Sequence, residues 1–201
     1  MKQHLLVIVG PTAVGKTALS IRLAKRFHGE IISCDSMQVY QGMDIGTAKA
    51  TKEERAEVPH HLIDIIPPDV AFSVQEFQRL ARQKIQEVYS RKHLPILVGG
   101  TGLYIEAVTY DYRVPPAGQD FKIRKTYQCF AKEHGNEALH QKLAEVDPIT
   151  AKRLHPNDVK RVIRALEVYH LTKKPFSSFE QAEKRPFYDS MLWIGLTMPR
   201  E

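Results

Sequence analysis

The sequence contains little cysteine and no long apolar run, and each absence excludes a class of protein. Cys34 and Cys129 are the only cysteines among 201 residues, which is too few for the disulfide framework of a small secreted domain. Neither has a partner at the spacing of metal ligands. No apolar stretch is long enough to cross a bilayer, and the apolar N-terminal run is too short for a signal peptide. We therefore expect a cytoplasmic protein with no membrane partner.

A glycine-rich loop is the most informative segment that is present. The apolar residues 5–9 lead into Gly10-x-x-x-x-Gly15-Lys16-Thr17, and a helical pattern follows over 18–27. This order is typical of a P-loop, whose backbone N–H groups surround phosphate oxygens at a helix N-terminus. Lys16 would reach the outer phosphate, and the Thr17 hydroxyl would hold Mg²⁺. The candidate phosphate-binding residues are Gly10, Pro11, Thr12, Ala13, Val14, Gly15, Lys16 and Thr17.

The order of the next elements predicts an α/β fold with a P-loop NTPase-like parallel sheet. Strand patterns at 30–35 and 94–98 alternate with helical patterns, as in βαβ units. One of these helices begins with a capping box at Ser73-Val-Gln-Glu76. Because parallel strands end at one edge of the sheet, the phosphate loop, Asp35 and the turn at 99–102 should converge on one crevice.

The second half of the chain has a different pattern. Helices are predicted over 119–146 and 158–171, and a strand pattern returns at 189–197. We therefore predict a core made of residues 1–111 and 188–201, interrupted by a mainly helical insertion of residues 112–187.

Two features at the predicted strand ends limit the reactions that the phosphate loop could serve. Asp35 could act as a general base, as a Mg²⁺ ligand through water or as the N-cap of a following helix, and the residues alone leave these roles open. The strand at 94–98 ends in Gly99-Gly-Thr101-Gly, without the carboxylate that steadies Mg²⁺ in many P-loop NTPases. This ending favours a loop that binds a leaving diphosphate or transfers a group, and argues against a motor ATPase.

The positive charge is concentrated in the insertion. Residues 151–187 carry nine basic and four acidic side chains, which nearly account for the net charge of +6 of the whole chain. Lys160, Arg161 and Arg164 lie close together on one predicted helix. An isolated cluster of this kind is usually a solvated helix face, but beside a phosphate-binding core it favours a polyanionic partner such as nucleic acid.

Four blocks together resemble one family. GPTAVGKT from residue 10, ISCDSMQVY from 32, VGGTGLY from 98 and DPxxAxxxHPNDxxRVxRALEVY from 147 are similar to the bacterial tRNA dimethylallyltransferase (tRNA isopentenyltransferase) family. The resemblance implies transfer of a dimethylallyl group from dimethylallyl diphosphate to the exocyclic amine of the adenosine beside the anticodon of tRNA. It also implies Mg²⁺ as the cofactor, and we expect a monomer.

The resemblance assigns roles position by position. It implies that Gly10 to Thr17 bind the diphosphate, with Mg²⁺ at Thr17, and that Asp35 is the general base. It places Lys16 and Arg200 on the diphosphate, and Thr101 on the diphosphate or the reacting nucleotide. The residues that it implies for tRNA contact are Asp35, Ser36, Met37, Gln38, Thr101, Arg124, Lys160, Arg161 and Arg164.

The chain departs from the family pattern in two places. Lys173 stands where the family has glycine in a Leu-Thr-Gly-Lys-Pro turn, which should alter only that turn. Family members also continue well past the position of Arg200, so we expect the C-terminal part of the core to be missing.

Two other functions remain open from the residues. One is a P-loop small-molecule kinase that uses ATP, in which Asp35 would activate an acceptor hydroxyl. The other is an inactive nucleotide- or RNA-binding module. His60 and His61 lack a third metal ligand, and we interpret them as structural or supporting residues.

Overall fold

A computed structural model describes residues 3–115, 117–179 and 185–198. The chain divides into two compact units. The first unit contains the described residues up to Tyr112 and those from Arg185 onward, and the second begins at Arg113 and includes the described residues up to Phe179. No helix among the described residues is long and apolar enough to cross a membrane.

The first unit is built on a five-stranded parallel sheet, in the order β3-β2-β4-β1-β5. The predicted parallel α/β core is confirmed. The strands are β1 (His4–Val9), β2 (Gly29–Cys34), β3 (His60–His61), β4 (Leu94–Gly99) and β5 (Ser190–Gly195). The helices of this unit are α1 (Lys16–Phe27), α2 (Lys52–Glu57), α3 (Val74–Ser90) and α4 (Gly102–Thr109).

Apolar side chains cover both faces of the central strands, as a parallel sheet between helices requires. Along β1, Leu5 and Val7 pack against α3 and α4, where Phe77 is fully buried. The alternate residues Leu6 and Ile8 pack against α1. This alternation explains why a continuous apolar run forms a strand with two buried faces.

The strand β5 is less covered than the strands beside it. It pairs with β1 and lies at the edge of the sheet. Leu192 is 65% exposed and Trp193 is 40% exposed, although both side chains are large and apolar.

Side-chain caps fix the starts of two helices in this unit. The predicted capping box of α3 is present, because Ser73 Oγ accepts from the N–H of Glu76 and the Glu76 carboxylate accepts from the N–H of Ser73. An equivalent box between Thr51 and Glu54 begins α2.

The second unit is helical. It contains α5 (Phe121–His134), α6 (Asn136–Val146), α7 (Pro148–Arg153), α8 (Val159–Thr172) and a 3₁₀ turn (Phe176–Phe179). The stretch 119–146, predicted to be helical, forms two helices, because Gly135 with φ of 89° separates α5 from α6. Leu139, Leu143 and Val162 are fully buried in the core of this unit.

Candidate active site

The phosphate loop lies between the carboxyl end of β1 and the first turn of α1. Gly15 precedes this helix with φ of 90° and Ala13 has φ of 67°. A positive φ is ordinary for glycine but strained for alanine. The loop therefore has the curled backbone that brings successive N–H groups towards a bound anion.

The Lys16 ammonium folds back over this loop. Its Nζ donates to the carbonyl oxygens of Gly10 at 2.8 Å and Pro11 at 2.6 Å. Partial burial lowers the pKa of Lys16, and the nearby Asp35 carboxylate offsets part of this effect. These hydrogen bonds hold the ammonium group against the backbone of the phosphate loop, and the negative charge of Asp35 favours its protonated form.

The carboxylate of Asp35 organises the loop after β2. Its Oδ1 accepts from the backbone N–H of Met37 at 2.8 Å and of Gln38 at 3.4 Å. The segment that follows is a turn and not an α-helix, so Asp35 caps a turn. This contact fixes the direction of the carboxyl group, which a general base requires.

Thr101 connects the loops that follow β2 and β4. Its Oγ1 accepts from the N–H of Ser36 at 3.0 Å and donates to the Ser36 hydroxyl at 3.4 Å. The two loops approach closely at Gly99, where a Cβ atom would lie 2.0 Å from the carbonyl oxygen of Cys34. Glycine is therefore required at this position, and the approach holds Thr101 near Asp35 in the fold.

The phosphate loop, Asp35 and Gly99 line a cavity of about 310 Å³ at the carboxyl ends of the strands, and Thr101 is not among its lining residues. Lys16, Thr17 and Asp35 all line it. The sequence-based prediction that the phosphate loop and Asp35 converge is therefore confirmed. The volume lies in the range of about 300–1,000 Å³ that is typical of small-molecule sites.

The residues that line this cavity include oxygen donors of the kind that bind Mg²⁺ beside a phosphate. Mg²⁺ in phosphate-binding sites is bound by one or two protein oxygens together with substrate phosphates and water. Thr17, with a hydroxyl, and Asp35, with a carboxylate, both line the cavity. Within the described ranges, no cluster of three or more His, Cys, Asp or Glu side chains could hold a metal by itself.

Two neighbours of Asp35 differ in what their side chains can contact. Met37 is 43% exposed. The Gln38 amide is occupied within the protein, since its Oε1 accepts from the Ser33 hydroxyl at 2.7 Å and its Nε2 donates to the Thr47 carbonyl at 2.9 Å. Gln38 therefore shapes the cavity wall, and Met37 presents its side chain outward.

His60 belongs to the same wall. Its Nδ1 lies 2.9 Å from the carbonyl oxygen of Val58, whereas its Nε2 is buried without a hydrogen-bond partner. Burial lowers the pKa of this ring, which favours the neutral imidazole. The sequence pattern gave no reason to separate His60 from His61, whose ring instead lies 2.6 Å from the Glu30 carboxylate.

The chain has clear relatives of known name. A family model described as IPP transferase matches residues 38–201. The chain belongs to this family. It is 55% identical over its whole length to the tRNA dimethylallyltransferase of Geobacillus kaustophilus and covers 64% of that protein. It thus spans about two thirds of the length of the curated relatives that it matches.

Solved structures place the fold in the same family. The full-length tRNA isopentenylpyrophosphate transferase of Bacillus halodurans is 54% identical, with a TM-score of 0.56 over 87% of this chain and 58% of that chain. A eukaryotic dimethylallyltransferase, solved acting on tRNA, is 32% identical. Its TM-score is 0.79 over 97% of this chain and 48% of that chain.

In this IPP transferase chain, two of the basic residues predicted to contact tRNA form ion pairs within the protein. Arg124 donates to both carboxylate oxygens of the fully buried Glu167, at 2.8 and 2.9 Å, and Arg164 donates to one of them at 2.6 Å. Burial raises the pKa of Glu167, but the hydrogen bonds from the two arginines outweigh it and lower the pKa overall. The structure gives Arg124 and Arg164 a structural role, and their contact with tRNA stays a prediction.

Two further basic residues predicted to contact tRNA, both on α8, point outward. Lys160 is exposed, and the Arg161 side chain is 75% exposed beside Asp158 at 3.4 Å. Arg200, predicted to contact the diphosphate, lies outside the described residues.

Proposed function

We propose that this chain transfers a dimethylallyl group from dimethylallyl diphosphate to the exocyclic amine of the adenosine beside the anticodon of tRNA. One observation carries the proposal. A phosphate loop and a fixed carboxylate line one cavity, in a member of a family whose named relatives act in tRNA modification.

In the reaction, the amine nitrogen forms a bond to the allylic carbon while the bond from that carbon to the diphosphate oxygen breaks. The amine is a poor nucleophile because its lone pair is delocalised into the purine ring. Asp35 takes the proton that the nitrogen loses, which prevents positive charge from developing on the base. The products are the prenylated adenosine and free diphosphate.

The phosphate loop stabilises the leaving group. Diphosphate gains negative charge as the carbon–oxygen bond breaks, and the loop amides and Lys16 supply complementary charge. Thr17 would hold Mg²⁺, which supplies further positive charge to the diphosphate when it is bound. We assign the same function to Arg200 on the basis of its position in the family pattern.

Recognition of tRNA is proposed for two separate surfaces. Ser36, Met37 and Thr101 would meet the adenine after it leaves its stack, a step that costs a few kcal/mol and favours an unpaired loop nucleotide. Lys160 and Arg161 would contact the tRNA backbone through exposed positive charge. We also propose that the chain acts as a monomer in the cytoplasm, where free cysteines and tRNA are both expected.

The test is transfer of a labelled dimethylallyl group to unmodified tRNA, with Mg²⁺ and without ATP. Asp35→Asn keeps the size of the side chain but removes the base, so we expect at least about a hundredfold loss of transfer. Equal transfer by the variant would contradict the assignment of the base. ATP consumption with a small acceptor, in place of transfer, would favour the kinase, which the family match does not support.

A further inference from the structure

The loop of residues 41–48 presents one apolar side chain to solvent without cover. Ile45 is 100% exposed, the highest value for a large apolar side chain in the part of the chain that the structure describes. Gly46 follows with φ of 83°, so the chain turns directly after the isoleucine. A single exposed apolar side chain is ordinary on a protein surface, but the support and the position of Ile45 set it apart.

A buried lysine fixes the backbone that carries Ile45. The Lys49 side chain is 2% exposed, and its Nζ donates to the carbonyl oxygen of Tyr40 at 2.7 Å. It also donates to the carboxylates of Asp44 at 2.8 Å and Asp64 at 2.6 Å. Burial lowers the pKa of Lys49, but the hydrogen bonds to the two carboxylates outweigh it and raise the pKa overall. Because Asp44 directly precedes Ile45, this charged network holds the isoleucine in place, and a partner that covers it has little loop entropy to remove.

The other end of the loop belongs to the wall of the cavity at the carboxyl ends of the strands. Thr47 and Ala48 line this cavity together with Asp35. The Gln38 amide donates to the carbonyl oxygens of Thr47 at 2.9 Å and Ala48 at 3.2 Å. Ile45 is two residues from this wall and is not among the lining residues. An RNA loop that places its adenosine in the cavity would therefore bring the adjacent nucleotides to the rim, within reach of Ile45.

The side chain of Ile45 suits the face of a nucleobase. When a base leaves its stack, the faces of the adjacent bases lose an apolar neighbour, and this loss contributes to the cost of extrusion. Proteins that open base stacks insert apolar side chains, isoleucine among them, between the separated bases. Isoleucine has no hydrogen-bonding group, so it covers a base face without reading the base edge. A fixed, exposed isoleucine beside the cavity can thus replace the stacking contact that the adenosine gives up.

We propose that Ile45 packs against the nucleobase face that is exposed when the adenosine leaves the stack of the anticodon loop, and that this contact stabilises the extruded state. The inference rests on the proposed function, because it requires tRNA as the acceptor. It makes Ile45 a positioning residue, which contacts the RNA beside the adenosine and does not touch the reacting atoms.

The test uses an RNA hairpin with the sequence of the anticodon arm and 2-aminopurine in place of the adenosine. This base fluoresces more strongly when it is unstacked, and it has no amine at the position that would be prenylated. We expect the wild-type chain to raise the emission, and Ile45→Ala to need about tenfold more protein for half of the rise, as loss of apolar burial predicts. In transfer assays the KM for tRNA should also rise about tenfold, with the KM for dimethylallyl diphosphate unchanged.

Matched substitutions assign the effect to this side chain. Ile149→Ala removes the same side chain from a 65% exposed position on α7, and it should bind the hairpin with wild-type affinity. Ile45→Leu keeps the apolar volume and should retain most of the emission response. The melting temperature of all three variants should equal that of the wild type, because both isoleucines are largely exposed.

Equal half-saturation for the wild type and Ile45→Ala would overturn the inference, while transfer to adenosine by the wild type would leave the proposed function intact. An equal loss in Ile149→Ala would also overturn it, since the effect would then not belong to the loop of residues 41–48. Failure of the wild type both to raise the emission and to transfer the dimethylallyl group would overturn the inference and the proposed function together.

Discussion

The two ends of the parallel sheet use ionisable residues in opposite ways. At the carboxyl ends, Lys16 and Asp35 face a cavity and contact mainly the backbone of their own loops. At the amino ends, the buried carboxylate of Glu30 is fully enclosed by partners. Arg91 donates to both of its oxygens at 2.8 and 2.7 Å, and the rings of His61 and His93 lie at 2.6 and 2.7 Å.

This difference separates groups that are available to a ligand from groups that stabilise the fold. The hydrogen bonds from Arg91 lower the pKa of Glu30 to about 2, and its interactions are satisfied within the protein. A substitution at the carboxyl ends should therefore lower the rate of prenyl transfer, and a substitution of Glu30 should lower the free energy of unfolding.

The largest effect is expected for the lysine of the phosphate loop. Lys16→Ala removes the positive charge that stabilises the leaving diphosphate. We therefore expect kcat/KM for prenyl transfer to fall about a thousandfold. The melting temperature should change little, because the Lys16 contacts are to carbonyls of its own loop. A large loss of stability with little loss of transfer would contradict the division between the two ends.

Glu30→Gln should show the reverse pattern. At pH 7 we expect about 3 kcal/mol of lost stability, which corresponds to a carboxylate whose pKa falls from 4.5 to about 2 on folding. The contribution of a depressed carboxyl pKa is present above pH 4.5 and is lost as the pH falls towards 2. Urea unfolding from pH 7 to pH 3 should therefore show the wild-type and variant stabilities approaching each other in acid, whereas parallel curves would contradict the assignment.

The same comparison, between residues available to a ligand and residues that stabilise the fold, can be made in the helical insertion, with smaller expected effects. Lys160→Ala and Arg161→Ala should each weaken tRNA binding about three- to tenfold and reduce its salt dependence, with stability unchanged. Arg124→Ala should instead lower the stability, because Glu167 would lose its bidentate partner while it stays fully buried. Titration of tRNA at two salt concentrations, together with urea unfolding, separates the two groups, and equal salt effects for all three variants would refute the distinction.

The smallest effect is expected at the end of α8. Lys173 ends this helix with φ of 57° and ψ of 19°, a left-handed conformation in which glycine is favoured. Lys173→Gly should raise the free energy of unfolding by about 0.5–1 kcal/mol. Urea unfolding would measure this gain, and Lys174→Gly, which changes the next residue of the same turn, is the control that should not stabilise.

The sequence predicted best where the pattern is local. The P-loop spacing, the apolar strands and the Ser73–Glu76 capping box each depend on neighbouring residues, and the structure contains all three. The sheet edge that collects Lys16 and Asp35 could also be predicted, because parallel strands end on one side.

Contacts between distant residues could not be predicted in the same way. Glu30 meets Arg91 and His93 after a separation of more than 60 residues, and Glu167 meets Arg124 across 43 residues. Nothing in the local spacing distinguishes these paired arginines from exposed ones such as Arg161.

The most direct test of the proposed transfer compares two acceptors that differ in one functional group. Unmodified tRNA with adenosine beside the anticodon is incubated with labelled dimethylallyl diphosphate and Mg²⁺, in parallel with the same tRNA carrying inosine at that position. Inosine has an oxygen in place of the exocyclic amine, so we expect label on the adenosine tRNA and none on the inosine tRNA. Equal labelling of both, or of neither, would contradict the account.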